Sequence, residues 1–301
     1  MKRTGPSVIA VTMGDPAGIG PEIILKSAAA LGVRRGAPSL VVIGDLAVMR
    51  ETARRIRGAP PFCECRASDL PTSLPEQFCV LAQSHLSATA RRPGRPTVDG
   101  AHASFTYIRA GAKLALRGAV DALVTAPISK QWLNRAGHEY PGHTELLAEL
   151  AKVKLYRMMF ASDAVKLALV TVHMRLSDVP RAITRRAVFE TIRLLARQLR
   201  DFHAIARPRI GVLGLNPHAG EHGLFGDEES HTIVPAMRRA QREGIEAFGP
   251  LAPDTAFVRA RGAFQFDAAV AMYHDQGLIA LKALEFDRAV NVTLGLPFIR
   301  T

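Results

Sequence analysis

A chain of 301 residues has room for one or two domains with a large buried core, and 48% hydrophobic with 22% charged residues is the composition of a globular enzyme. No apolar run is long enough to cross a bilayer, so no membrane partner is expected. The net charge of +12 raises nucleic acid as a partner, but the basic pairs Arg54-Arg55, Arg91-Arg92, Arg185-Arg186 and Arg238-Arg239 are dispersed and hold no stacking aromatics, so the reading is a solvated arginine-rich surface that favours an anionic small molecule, with no nucleic-acid partner.

Residues 8–13 read as a first strand, stopped by the tight turn Gly14-Asp15-Pro16-Ala17-Gly18-Ile19-Gly20, after which Pro21-Glu22 opens a helix. A glycine turn at a helix start suits an anion cradle, and equally an ordinary tight βα-loop; its spacing matches neither the dinucleotide nor the P-loop fingerprint. The run after Met1-Lys2-Arg3 is too short for a secretory leader. Cys63, Cys65 and Cys79 lack the second pair of a zinc site and read as reduced surface thiols, which together point to the cytoplasm.

Further along, residues 40–43 read as a strand, 46–57 as a helix, 60–75 as irregular and 78–81 as a strand. Residues 101–117 have helical periodicity, with Phe105, Ile108, Ala112 and Ala115 on one stripe, and 120–125 form another strand. Residues 129–136 and 144–152 are expected helices, the second with Thr144 as its cap beside His143, where a phosphate or carboxylate would also be welcome. Acids of Gly226-Asp227-Glu228-Glu229 suit the dipole of a helix over 230–243, and Asp254 reads as the cap of a short helix after a proline turn. Residues 278–284 read as a helix carrying Lys282, and 289–294 as a last strand. Alternating strands and helices imply an α/β fold with a largely parallel, doubly covered sheet, and no linker separates independent domains.

Three apolar, strand-like runs each end in a histidine: 165–172 in His173, 211–215 in Asn216-Pro217-His218, and 268–273 in His274-Asp275-Gln276-Gly277. Open α/β sheets bind ligands beyond the carboxyl ends of their strands. One such histidine is ordinarily a core residue satisfied by a backbone group. Three in the same context also make the donor set of a catalytic divalent metal: three imidazoles and an open position.

The motifs Thr12-Met13-Gly14-Asp15-Pro16-Ala17-Gly18-Ile19-Gly20-Pro21-Glu22, Gly142-His143-Thr144-Glu145, Asn216-Pro217-His218-Ala219-Gly220-Glu221, Tyr273-His274-Asp275-Gln276-Gly277-Leu278 and residues 290–301, in this order, resemble the 4-hydroxythreonine-4-phosphate dehydrogenase family of vitamin B6 biosynthesis. The resemblance implies a fold of the isocitrate and isopropylmalate dehydrogenase type: two intertwined α/β/α subdomains, roughly 1–128 with 285–301 and 129–284, sharing a mixed sheet. It implies NAD- or NADP-linked oxidation and decarboxylation of a phosphorylated hydroxy-amino acid, giving 3-amino-2-oxopropyl phosphate, by a homodimer with its active site at the subunit interface. It implies a divalent metal (zinc, magnesium or cobalt) on His173, His218 and His274, and substrate contacts from His143, Thr144, Lys282, Asn291 and Arg300. His218, Asp254 and Asp275 are the candidate catalytic groups, the aspartates as general bases or, for Asp275, as the partner that orients a ligand histidine. No residue is assigned to the nicotinamide cofactor.

Where the family commonly has a proline two residues after its first metal histidine, this chain has Arg175; Ala252-Pro253-Asp254-Thr255 replaces Pro-Ala-Asp-Thr. The family continues past Arg300-Thr301 into an Asp-His-Gly-Thr-Ala segment, so this chain is expected to bind NAD poorly. Alternatives are a relative acting on another phosphorylated hydroxy acid or a cyclic diol acid, a metal hydrolase or lyase using the same histidines, and a non-catalytic scaffold.

Overall fold

The computed structural model describes residues 7–32, 37–70 and 78–301; the expected basic start and part of the irregular stretch 60–75 lie outside them. The chain divides into two compact units, Met1–Lys154 with Leu296–Thr301, and Leu155–Gly295. The first contains β1 (Val8–Thr12), α1 (Gly20–Leu31), β2 (Ser39–Asp45), α2 (Leu46–Ala53), β3 (Cys63–Glu64), β4 (Phe78–Ser84), α3 (Val98–Leu116), β5 (Ala122–Thr125), α4 (Lys130–Arg135) and α5 (His143–Leu150). The second contains β6 (Arg157–Ala161), β7 (Lys166–Leu169), α6 (Val179–Ala182), α7 (Arg185–Phe202), β8 (Ile210–Leu213), α8 (Val234–Arg242), β9 (Ala247–Leu251), β10 (Ala268–Ala271), α9 (His274–Glu285) and β11 (Val290–Leu294). The chain then returns to the first unit as β12 (Ile299–Arg300).

The first unit's sheet runs β12-β5-β1-β2-β4-β3 with every neighbour pair parallel. All seven residues of β2 are buried, as a strand covered on both faces requires. The helix α3 lays Ile108, Ala112 and Ala115 on the core with Tyr107, matching its 3.6-residue periodicity, and the Thr97 hydroxyl caps it by accepting from the Gly100 amide. Buried Asp45 ends β2: its carboxylate accepts from the Ala47 and Val48 amides to cap α2, and from the Ser84 hydroxyl and Leu86 amide to hold the end of β4.

Close packing explains the glycine turn after β1. Gly14 has φ +73°, and a Cβ there would lie 2.2 Å from the Pro127 carbonyl oxygen. The Asp15 carboxylate takes the Ala17 amide at 2.9 Å, so the loop is sealed on itself. Gly14→Ala is expected to destabilise the protein by at least about 2–3 kcal/mol, because a left-handed backbone and a backbone clash coincide. Calorimetry would check this, and an unchanged melting temperature would show that the loop can shift.

The second unit's sheet runs β11-β6-β7-β10-β8-β9. Its strands β7, β10, β8 and β9 are parallel, while β6 is antiparallel to both β7 and β11. Against it packs α7, whose Val188, Ile192, Leu195 and Leu199 are fully buried. Each such side chain stabilises the unit by roughly 1.5–3 kcal/mol.

The α/β class is as expected, and the described residues add three details. The strands form two sheets of six, one all parallel and one mixed, where the resemblance implied one shared sheet. The division between units falls after α5 because α4 and α5 pack on α3, and residues 285–295 stay with the second unit because β11 pairs with β6. Of the cysteines only Cys63 reaches the surface; Cys65 and Cys79 are buried.

Candidate active site

In the second unit the order β7-β10-β8 makes three parallel strands immediate neighbours. His173 follows β7, His274 follows β10 and His218 follows β8, so all three histidines leave the carboxyl end of one sheet. The rings of His173 and His274 lie 5.5 Å apart between centroids, close enough to share one ion, and His218 lies 6.3 Å from the Phe225 ring. Among the described residues of one chain no group of three metal-binding side chains is assembled.

The backbone around these histidines is held by polar side chains, of which Glu229 is buried. The Asp275 carboxylate lies 2.7 Å from Nδ1 of His274; it accepts the Nδ1 proton and leaves the Nε2 lone pair for a ligand. Gln276 donates through Nε2 to the Gly214 carbonyl at 2.6 Å and accepts the Met272 amide at 2.7 Å, tying the ends of β8 and β10 together. His218 stands in a left-handed run, with φ of 52°, 55°, 83°, 41° and 54° from His218 to His222. Each non-glycine residue in that conformation costs roughly 1–2 kcal/mol. Glu229 offsets the strain: its buried carboxylate accepts from the amides of Leu215 and Asn216 at 2.7 and 2.8 Å and from the Asn216 side chain at 3.0 Å. Strained backbone held by over-determined contacts is typical of a ligand site. Glu229 and Gln276 are the functional supports that sequence reasoning missed; Glu229 turns inward instead of facing the helix dipole, and a π-type turn, Glu229–Ile233, precedes α8.

The other expected residues of this unit are less concentrated. Asp254 is exposed in a turn three residues beyond β9, at the same end of the sheet as the histidines, and the short helix expected after it is a turn. Lys282 is exposed on α9, about 12 Å along the helix axis from His274. Asn291 on β11 pairs with Phe160 near the end of β6, which in turn faces the start of β7; it lies at the opposite end of the sheet from the histidines.

In the first unit His143, Thr144 and Arg300 come together. The helix α5 starts at His143 with Gly142 as its cap, so Thr144 is not the cap that the sequence implied. Its hydroxyl lies 3.4 Å from Nη1 of Arg300, whose Nη2 donates to Thr125 Oγ1 at 2.9 Å. Burial pushes the Arg300 guanidinium down to about 10, more than the Glu145 charge raises it, so it remains a cation in a poorly solvated place. His143 is pushed down to about 4, first by burial and then by the Arg300 charge. Its Nδ1 proton goes to the Ala126 carbonyl, and its buried Nε2 has no hydrogen-bond partner among the described residues. At neutral pH it is therefore a neutral imidazole with an acceptor waiting for a hydroxyl or ammonium donor.

That depressed value carries a pH prediction. The unfolded chain takes up the His143 proton near 6.5 and the folded chain only near 4, so stability from this residue is full above pH 6.5 and is lost as pH falls through that window, by roughly 3 kcal/mol at most. Urea unfolding at pH 7 and pH 4.5 should show the loss, and His143→Gln should flatten it; the same slope in the variant would assign the effect elsewhere.

Comparison with known proteins gives the chain its relatives. Residues 37–301 match the family described as pyridoxal phosphate biosynthetic protein PdxA. The chain belongs to this family. It is 49% identical to a 4-hydroxythreonine-4-phosphate dehydrogenase of Geobacter metallireducens, over 100% of this chain and 88% of that protein. It is 42% identical to a D-threonate 4-phosphate dehydrogenase of Salmonella typhimurium, over 97% of this chain and 89% of that one. A solved 4-hydroxythreonine-4-phosphate dehydrogenase from Klebsiella pneumoniae superposes with a TM-score of 0.85 at 42% identity, covering 98% of this chain and 90% of the other. The PdxA family is one of dehydrogenases, so the chain is an oxidoreductase that uses a nicotinamide-type cofactor. No helix of the described residues is long and apolar enough to cross a membrane.

Proposed function

We propose that this chain oxidises 4-phosphohydroxy-L-threonine with NAD or NADP, assisted by a divalent metal, and that decarboxylation follows to give 3-amino-2-oxopropyl phosphate. The observation that carries the reading is the delivery of His173, His218 and His274 to one end of three adjacent parallel strands, in a chain 49% identical to a relative named for that substrate. His173, His218 and His274 would hold the metal, zinc, magnesium or cobalt, and a bound cation supplies Lewis-acid polarisation of the hydroxyl and of the developing enolate. Asp275 fixes the His274 tautomer. His143 Nε2 accepts a hydrogen bond from the substrate, while Thr144, Arg300, Lys282 and Asn291 bind its polar and anionic groups. Asp275, beside His274, and Asp254, at the same end of the sheet as the histidines, are the carboxylates assigned to take a proton.

The metal is completed by a second copy of the chain. One chain pairs only His173 with His274, and each histidine is followed by exposed apolar side chains, Met174 and Leu176, Leu224 and Phe225, and Ile279. Such exposed apolar surface around the three histidines fits a homodimer interface.

NADH absorbance tests the reading. With 4-phosphohydroxy-L-threonine, NAD and added divalent metal, turnover is expected, and a chelator should stop it. Turnover on D-threonate 4-phosphate alone would move the substrate to that of the 42%-identical relative. No NADH from any phosphorylated hydroxy acid would overturn the proposal.

A further inference from the structure

The thiols of the first unit sit at the β4-β3 edge of its sheet, opposite the β12 edge that carries Arg300, and they are not dispersed. Cys63 on β3 and Cys79 on β4 are register partners in a parallel pair, and their sulfurs are 3.1 Å apart. The strands are fastened on either side of them. Phe62 and Phe78 meet edge to face at 5.5 Å just before the pair, and the Cys65 amide donates to the Val80 carbonyl at 3.0 Å just after it. Adjacent strands run about 4.7–4.9 Å apart, inside the Cα separation of about 4.4–6.8 Å that a disulfide spans. No backbone rearrangement is needed to join these two sulfurs.

The two thiols differ in access. Cys63 is partly exposed on a two-residue edge strand, whereas Cys79 is fully buried behind it. We propose that Cys63 and Cys79 form a reversible oxidation site for peroxides, in which Cys63 is the attacking thiol and Cys79 the resolving one. The Cys63 thiolate attacks one peroxide oxygen, the O–O bond breaks and water leaves, so that Cys63 becomes a sulfenic acid and the peroxide is reduced. The Cys79 sulfur then attacks the Cys63 sulfur and expels the hydroxyl as a second water, forming the disulfide; two thiols and one hydrogen peroxide give one disulfide and two waters. Cys65 is a bystander. It is buried beside Cys79, and its thiol is pushed up to about 11, chiefly by burial, which keeps it protonated and unreactive.

The test uses the full-length, reduced protein treated with a modest excess of hydrogen peroxide. Thiols titrated after denaturation should fall from three to one, and dithiothreitol should restore all three. A non-reducing peptide map should join the Cys63 peptide to the Cys79 peptide. Cys65→Ser should still form the link and Cys63→Ser should form none. A map showing a Cys65–Cys79 link, only links between chains, or only irreversible sulfinic acid would overturn the proposal, and the map of the unsubstituted protein decides this even where a Cys79 variant fails to fold.

Discussion

Replacing His218 or His274 with alanine should reduce metal-supported NADH formation by about a thousandfold or more while leaving the fold intact. A divalent Lewis acid is worth several kcal/mol at a developing oxyanion, and each 1.36 kcal/mol is about tenfold in rate. His218 and His173 are exposed and His274 is only partly buried, so truncation opens no core cavity. Circular dichroism should therefore be unchanged while cobalt or zinc binding, followed by calorimetry, is lost. Asp275→Asn keeps the imidazole but removes the carboxylate that fixes its tautomer, and should weaken metal binding by about ten- to a hundredfold. The geometry also sets a subunit experiment. Since His173 and His274 are paired within a chain and His218 is not with them, His218→Ala subunits keep the pair and His274→Ala subunits keep the third ligand. Two inactive variants refolded together should regain about a quarter of the activity, from the one intact site of each mixed dimer. No recovery would place all three ligands in a single subunit, and full activity in either variant alone would remove the histidines from the chemistry.

The histidines were legible because physics marks them locally: an apolar run that stops at a polar residue is a strand end, whatever the tertiary fold. What fixes their backbone was not. Glu229 works through amides of residues 215 and 216, and Gln276 through a carbonyl at 214, partners that only the fold brings within reach. The longest helix of the second unit, α7, has the 3.6-residue stripe of Val188, Ile192, Leu195 and Leu199, but its arginines drew attention to charge instead of period. The helix α9 was expected to begin near Leu278, and it begins at His274 itself, so that His274 stands in a helical first turn three residues past the end of β10. The same limit applies to sulfur: Cys63 and Cys79 are 16 residues apart, and only the β3–β4 register makes them neighbours.

Arg300 and Lys282 should prove to be the anion-binding cations, with Arg300 the stronger. The residue is only 7% exposed, and its guanidinium is held by the hydroxyls of Thr125 and Thr144 and lowered in basicity because burial outweighs its attraction to Glu145. A cation in that state gains more from a bound phosphate or carboxylate than a solvated one does, because the desolvation has already occurred. Lys282 is exposed and would contribute a screened charge. Arg300→Gln keeps two hydrogen-bond donors and much of the volume, so the fold should survive while the charge is lost. A charge-assisted hydrogen bond is worth roughly 1.5–3 kcal/mol, which is about ten- to a hundredfold in affinity. The apparent KM for 4-phosphohydroxy-L-threonine should rise by that factor in Arg300→Gln, and by less in Lys282→Ala. Binding of the dephosphorylated analogue separates the anions. If Arg300 holds the phosphate, the analogue binds the variant and the parent alike; if it holds the carboxylate common to both ligands, both weaken equally. Unchanged binding of both ligands would leave the buried charge of Arg300 with a structural role between β5 and α5, and would move anion recognition to other cations.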